Sequence, residues 1–288
     1  MPEKNLLELE KKANQIRVDI IRSLVEAGSG HSAGPLDMAD VFTAIYFGDV
    51  MKYDPKNPDW EERDRFILSN GHICPLLYAT LAHAGFFPRE ELLSLRKLDS
   101  RLQGHPHRVA LPGLETSSGP LGMGLSQAAG MAYSFLMDKK KNWVFAALSD
   151  GEHQEGNTWE AILFAGKYKL YNLTVLIDRN NIQIDGYTEN VMPLESMVEK
   201  YESFNWHVQE IDGHNIESII DAINESKAIS TKPSVIICNT IPGKGVEYME
   251  RDYEWHGKPP GTKGNVGEVV EALYELRTLG GQIASEHE

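Results

Sequence analysis

Residues 149 to 186 read SDGEHQEGNTWEAILFAGKYKLYNLTVLIDRNNIQIDG, with an Asp-Gly pair at 150–151 and an Asn-Asn pair 30 positions on. Asp150 follows one predicted strand directly, and Asn180 stands two residues beyond the end of the next. Both side chains then fall at the carboxyl edge of a sheet, where open α/β folds bind their ligands. A carboxylate, a side-chain amide oxygen and a backbone carbonyl form a hard, oxygen-only half shell. Such a shell suits Mg²⁺, which completes its octahedron with diphosphate oxygens and water. One carboxylate alone binds the ion weakly, so metal and diphosphate should arrive as a pair. A helix beginning near Thr158 turns its backbone N–H groups toward anything negative placed there. The same residues also suit a plainer role, because Asp-Gly is a common turn and Asn tolerates left-handed backbone where strands end.

These positions need elements to hold them. Apolar runs occur at 65–69 (RFILS), 143–149 (WVFAALS), 173–177 (LTVLI), 206–211 (WHVQEI) and 234–240 (SVIICNT). Amphipathic stretches at roughly 73–84, 122–137, 158–170, 193–203 and 215–228 alternate with the runs, each long enough for a crossover helix. That order predicts an α/β fold, doubly wound, with a mainly parallel sheet flanked by helices. A last helical pattern covers 265–279, and a charged amphipathic helix opens the chain as a solvated face over apolar packing. Gly and Pro cluster at 104–124 and 242–261 and mark loops rather than linkers. With no internal repeat or low-complexity tract, residues 1–288 read as a single domain with an N-terminal helical segment.

Charge narrows the partners. Lys plus Arg number 28 against 42 Asp plus Glu, and the net charge of −14 disfavours nucleic acid and anionic membranes. A bound phosphate must be held locally. Cys74 and Cys238 make no metal or redox spacing, which fits a reducing cytoplasm. The N-terminus lacks the apolar block of a signal peptide, and no apolar run reaches membrane-spanning length.

Seven segments, in order, carry a resemblance: GSGHSAGPLDMAD (28–40), FILSNGHICPLLYA (66–79), QGHP (103–106), SSGPLGMGLSQAAGMA (117–132), SDGEHQEG (149–156), LIDRNNIQIDG (176–186) and WHGKPP (255–260). From residue 12 onward the chain resembles the N-terminal half of transketolases. The resemblance implies thiamine diphosphate as cofactor and Mg²⁺ as its metal, with Ca²⁺ or Mn²⁺ as substitutes. It implies that Asp150, the Asn180 side chain and the Ile182 carbonyl ligate the metal, and that Gly151 lets backbone approach the diphosphate. His72 and His256 contact the diphosphate end; Gly119 and Leu121 hold the aminopyrimidine. His31, His105 and His256 then face the sugar, where cleavage beside a carbonyl moves protons on and off hydroxyl oxygens near neutral pH. The cofactor supplies the carbanion chemistry, passing a two-carbon ketol unit from a ketose or ketose phosphate to an aldose or aldose phosphate, as in the pentose phosphate pathway.

The family also needs an activating glutamate from a pyrimidine-binding domain. After the fifth strand, only 48 residues follow Thr240, too few for another α/β domain. The resemblance therefore implies one chain of a split enzyme, with a C-terminal transketolase subunit supplying the missing domain. Glu155 and Glu160 match cofactor-linked positions at the interface between protomers, which implies self-association into a heterotetramer; first-turn glutamates favouring a helix N-terminus are the compatible alternative. Ser149 stands where the family has Gly, a change expected to alter the diphosphate geometry slightly. Other thiamine diphosphate enzymes (deoxyxylulose-phosphate synthase-like, or like the α chain of a 2-oxoacid dehydrogenase) and a non-catalytic cofactor-binding partner remain alternatives. His83, His107, His153, His207, His214 and His287 match no catalytic slot, and Lys244 reads either as a phosphate cation or as a solvated turn residue.

Overall fold

The computed structural model describes residues 3–286. Helix α1 (Glu3–Ala27) buries Leu9, Ala13, Ile16, Ile20 and Leu24, an apolar stripe at helical spacing, and departs from the expected solvated charged face at Arg17 and Asp19, which are buried and paired with Asp40 and with His83 and Arg89. Short α2 (Ala33–Asp37) and α3 (Ala39–Phe47) follow, then β1 (Arg65–Leu68), α4 (Cys74–Ala84), α5 (Gly124–Met137), β2 (Val144–Ser149), α6 (Gly156–Tyr168) and β3 (Leu173–Arg179). A two-stranded hairpin, β4 (Ile182–Gln183) and β5 (Gly186–Tyr187), precedes α7 (Thr188–Val191) and α8 (Met197–Ser203). The chain continues through β6 (His207–Asp212), α9 (Ile216–Ala228), β7 (Ser234–Asn239) and α10 (Val266–Glu286).

Five strands form one all-parallel sheet in the order β1-β2-β3-β7-β6. Every residue of β2 and β3 is buried, as a parallel sheet covered on both faces requires. The side chains of β2 divide by alternation. Phe145 and Ala147 pack with the core beneath α1, α3, α4 and α9, whereas Val144, Ala146 and Leu148 join the core beneath α5, α6 and α8. Helices on both faces make the fold doubly wound, as expected.

Some element ends differ from the sequence reading, and one hairpin was not expected. β3 runs on to Arg179, so Asn180 abuts the strand instead of standing two residues beyond it. The helix expected over 193–203 begins at Met197, because the Ser196 hydroxyl caps it, accepting from the Glu199 N–H at 3.3 Å. The β4–β5 hairpin had no apolar run long enough to announce it. Among the described residues no helix is long and apolar enough to cross a membrane.

Candidate functional site

At the carboxyl edge of the sheet, β2 delivers Asp150 and β3 delivers Asn180 side by side. The Asn181 N–H donates to Asp150 Oδ2 at 2.8 Å, and the Asp150 N–H donates to the Asp178 carbonyl at 3.0 Å. Asp150 is 1% exposed. Burial lifts its pKa, opposed by the Arg179 guanidinium and by the N–H groups of Gly151 and Asn181. The two oxygens differ. Oδ2 accepts from Arg179 Nη1 (3.1 Å), the Asn181 N–H (2.8 Å) and the Thr188 hydroxyl (3.4 Å), while Oδ1, among the described residues, accepts only from the Gly151 N–H (2.6 Å). One lone pair on Oδ1 is thus left for a cation.

Asn180 is fixed as firmly. Its Nδ2 donates to Asp37 Oδ2 at 3.0 Å and Asp178 Oδ2 at 2.9 Å, so its Oδ1 must face the other way. That oxygen accepts one N–H, from Ile182 at 3.1 Å, and also keeps a lone pair. Burial, opposed by the hydrogen bond from Thr240, pushes Asp178 up to about 8, and burial with the Asp178 charge pushes Asp37 well up. At least one of these facing carboxyls therefore keeps its proton at pH 7. Among the described residues no three His, Cys, Asp or Glu side chains gather as a metal cluster. The donors here are instead one carboxylate oxygen and one amide oxygen, the half shell a hard cation shares with an anionic ligand.

Histidines from three distant loops meet beside this edge. His31 precedes α2, His72 lies in the 3₁₀ turn Gly71–Ile73 after β1, and His256 ends the turn Tyr253–Trp255. Their ring centroids are 4.8 Å (His31–His72), 5.4 Å (His31–His256) and 5.3 Å (His72–His256) apart. Ser32 is what holds the loops together: its buried hydroxyl is shared between the carbonyls of Trp255 (3.1 Å) and Lys258 (2.7 Å), on either side of His256. His105 is exposed and borders the cluster next to Gly119, whose added Cβ would lie 3.8 Å from the His105 ring. Its loop is pinned to α4 by Tyr78, whose hydroxyl donates to the Gln103 carbonyl at 2.8 Å.

Burial lowers all four histidines. His256 falls to about 4 from burial; His31 falls to about 4 from burial first, then from the charges of His256, His105 and Arg96. His72 lies well below its ordinary value through burial and the neighbouring rings, and His105 is lowered by burial and Arg96. At pH 7 the cluster is neutral, so each ring presents one donor and one acceptor nitrogen.

Several buried polar atoms beside the cluster lack a hydrogen bond among the described residues: both amide atoms of Asn70, the Ser118 hydroxyl and His256 Nδ1. A buried unpaired polar group costs about 1–3 kcal/mol, and a polar ligand bound beside the histidines would satisfy these atoms. The backbone there is close. A Cβ at Gly71 would collide with Ser118 Oγ and sit 3.1 Å from the Gly119 nitrogen.

The residues expected from sequence take distinct places. Asp150, Gly151, Asn180 and Ile182 lie at the strand ends, and Ile182 buries its side chain in the core, leaving only backbone to the site. Gly119 and half-exposed Leu121 lie in the loop between His105 and α5. Glu155 and Glu160 are exposed on α6 and its N-cap; Glu155 Cβ backs onto Gly122, where an added Cβ would approach it to 2.8 Å. Ser149 sits in regular strand, where its side chain is accommodated. Lys244 lines a cavity with Glu247, Glu250, Glu271 and Glu275, apart from the histidines. His153 is held by the Ser149 carbonyl and the Tyr201 hydroxyl in the interior, His83 pairs with Asp19, and His214 with Asp40. His287 lies outside the described residues.

Sequence reasoning passed over four residues. Glu152, fully buried, accepts from the Gly122 N–H (2.7 Å), the Ser69 hydroxyl and the Ser149 N–H (3.3 Å), and so locks the loop before α5 to the ends of β1 and β2. Arg179 pairs with Asp150, Glu189 and Glu195. Asn70 follows β1 with its amide unpaired. Arg96, at φ 59°, sets its guanidinium against Gly104, whose added Cβ would meet it at 3.1 Å, and faces His31 and His105 with no carboxylate partner among the described residues. Arg96 stands in a glycine-free stretch between Gly85 and Gly104 that carries no signal of its role, and the others sit in ordinary strand-end sequence.

Residues 9–273 match the family model "Transketolase, thiamine diphosphate binding domain". A 6-deoxy-6-sulfo-D-fructose transketolase subunit of a Clostridium species is 43% identical over 244 residues, covering 85% of this chain and 88% of that protein. One of the apulose-4-phosphate transketolase subunits, from Phocaeicola vulgatus, is 41% identical over 254 residues, covering 88% of this chain and 89% of that protein. The solved structure of a Leishmania mexicana transketolase superposes with a TM-score of 0.85 at 30% identity over 97% of this chain, which spans 45% of that longer protein.

Proposed function

The chain belongs to the transketolase family, as its thiamine diphosphate binding domain, and from that premise we propose that it transfers a two-carbon ketol unit from a ketose or ketose phosphate to an aldose or aldose phosphate, acting with a second chain. Thiamine diphosphate, when bound, supplies the stabilised carbanion that side chains cannot provide. Asp150, Asn180 and the Ile182 carbonyl hold Mg²⁺, or Ca²⁺ or Mn²⁺ in its place, by the lone pairs their hydrogen bonds leave over. His72, His256, Asn70 and Ser118 meet the polar end of the cofactor, with Gly151 giving the diphosphate room; Gly119 and Leu121 line the position of its aminopyrimidine ring. His31, His105 and His256 exchange protons with the sugar hydroxyls, each able to donate and to accept while neutral. Arg96 offers a counter-charge to an anionic group on the sugar, in keeping with relatives named for a sulfo-sugar and a sugar phosphate.

The observation that carries this reading is the convergence of His31, His72 and His256 next to the unpaired Asn70, four groups drawn from three loops. The pyrimidine-binding domain and its activating glutamate belong, in this proposal, to a separate C-terminal subunit; relatives of matching length named as subunits support it. Self-association into a heterotetramer uses the α5–α6 face, where Glu155 and Glu160 stand with exposed Met137, Leu163 and Tyr168. The free, buried Cys74 and Cys238 suit a cytoplasmic setting.

The test is ketol transfer from xylulose 5-phosphate to ribose 5-phosphate, with Mg²⁺ and thiamine diphosphate, by this chain alone and with the C-terminal subunit. Activity only in the mixture supports the proposal. Activity of this chain alone removes the need for a second chain, and pyruvate decarboxylation without ketol transfer would assign it to another branch of thiamine diphosphate enzymes.

A further inference from the structure

We propose that Arg179 is the positioning residue of the cation site, coupling the order of residues 186–197 to occupancy of that site. The inference rests on the reading of Asp150 and Asn180 as cation ligands and goes on to what governs them.

Arg179 ends β3 with its side chain 5% exposed. The two arms of its guanidinium point to different parts of the chain. Nη1 donates to Asp150 Oδ2 at 3.1 Å; Nη2 donates to Glu189 Oε1 at 2.8 Å and Glu195 Oε1 at 2.5 Å. One positive charge thus stands among three carboxylates, an arrangement a rigid planar fork supports and a single ammonium cannot.

Each of the two glutamates does a second job. Glu189 accepts the Leu194 N–H on both oxygens, at 3.1 and 3.2 Å, and Glu195 Oε2 accepts the Met197 N–H at 3.2 Å. These bonds shape the connection from α7 to α8. Thr188, at the head of that segment, also reaches Asp150 Oδ2 at 3.4 Å and donates its N–H to the Asn181 carbonyl at 2.9 Å. The segment is therefore fastened to Asp150 through Arg179 and Thr188, and both fastenings fall on Oδ2. With that oxygen engaged, Oδ1 alone is turned to a cation.

A divalent cation arriving at Oδ1 brings positive charge close to the guanidinium. Arg179 answers by leaning on Glu189 and Glu195, which draws the segment tighter. Coupling of this kind is reciprocal, so a loosened segment weakens the cation as much as a lost cation loosens the segment. The β4–β5 hairpin lies between the two ends of this circuit. Its exposed Ile184 reaches the histidine loop, 3.9 Å from where a Cβ on Gly257 would stand, so the coupling extends to the wall of the sugar site.

The experiment uses the full chain, its Arg179→Met and Arg179→Lys variants, and the double variant Glu189→Gln/Glu195→Gln. Mg²⁺ is titrated by calorimetry in the presence of thiamine diphosphate, and amide hydrogen exchange is followed over 186–197 with and without both. In the wild-type chain the two together slow exchange in 186–197. Arg179→Met raises half-saturating Mg²⁺ by about 10- to 100-fold, the usual effect of losing a partner of a metal ligand, and abolishes the slowing, with exchange in β2 and β3 unchanged. Arg179→Lys recovers part of the affinity without the slowing. If Arg179→Met fails to fold, the glutamate double variant decides, since it leaves the Asp150 contact in place and is expected to lose the slowing. Wild-type Mg²⁺ affinity with a wild-type slowing of exchange, in Arg179→Met or in the double variant, overturns the inference. Absence of Mg²⁺ binding in the wild-type chain overturns the cation reading beneath it instead.

Discussion

Replacing His256 by Gln should flatten the acid side of the cofactor-free chain's stability curve. Burial among His31 and His72 lowers the His256 pKa to about 4, whereas in the unfolded chain it titrates near its ordinary 6.5. Between these values the unfolded chain binds a proton that the folded chain refuses. The contribution of the neutral ring is therefore complete above 6.5 and is lost as the pH falls toward 4. Linkage makes the loss about 2 kcal/mol at a pH of about 5. The assay is urea unfolding, read by tryptophan fluorescence, at about pH 7.5 and about pH 5. Carboxylates contribute to both chains alike and cancel in the difference, so the wild-type drop in stability should exceed that of His256→Gln by about 2 kcal/mol. Equal drops in the two chains would refute the reasoning, as would a His256 ring seen by NMR to titrate at about 6 or above. The same logic reaches the reaction: an anionic diphosphate beside His72 and His256 should raise both pKa values toward working pH, where proton exchange is most effective.

Other perturbations have equally definite outcomes. Asp150→Ala removes the carboxylate oxygen proposed for the cation and leaves Arg179 with only Glu189 and Glu195 as carboxylate partners among the described residues; Mg²⁺-dependent thiamine diphosphate binding by calorimetry should vanish, and unchanged affinity would refute the metal assignment. Glu152→Gln sets an amide N–H₂ against either the Gly122 or the Ser149 N–H; it should cost about 1–3 kcal/mol in urea unfolding and weaken cofactor binding, and wild-type values for both would count against Glu152 as the lock of that loop. Gly71→Ala drives a methyl into Ser118 Oγ. It should cost about 1–3 kcal/mol and weaken thiamine diphosphate, measurable by thermal shift with and without the cofactor; an unaltered cofactor-induced shift would move the binding pocket away from this loop.

The fold class and the polar residues at the carboxyl edge of the sheet were legible because both are local. A parallel sheet covered on both faces leaves continuous apolar runs, and Asp150 and Asn180 announce themselves as polar residues placed where such runs stop. His31, His72, His105 and His256 stood out for a similar reason, each in a Gly- or Pro-rich loop away from any apolar stripe. His153, three residues past Asp150, matched no catalytic slot, and the fold uses it as a buried structural ring against Tyr201.

Which of those histidines touch, and what keeps them neutral, was decided only in three dimensions. Ser32 joins the His31 and His256 loops across 226 positions, Asn180 finds Asp37 across 143, and Glu152 finds Ser69 across 83. No local pattern encodes such partners, because a Ser, Asp or Glu in the sequence looks the same whether it faces water or a buried N–H. Arg179 is the sharpest case: its residue type promised a surface charge, and the fold made it the link between buried Asp150 and the loop that follows. Sequence alone determined the elements and the residue types at their ends, since strand and helix periodicity are properties of neighbours along the chain. Burial and pairing, and with them the pKa values and the lone pairs left free, depend on groups remote in sequence, and the tertiary structure fixed them.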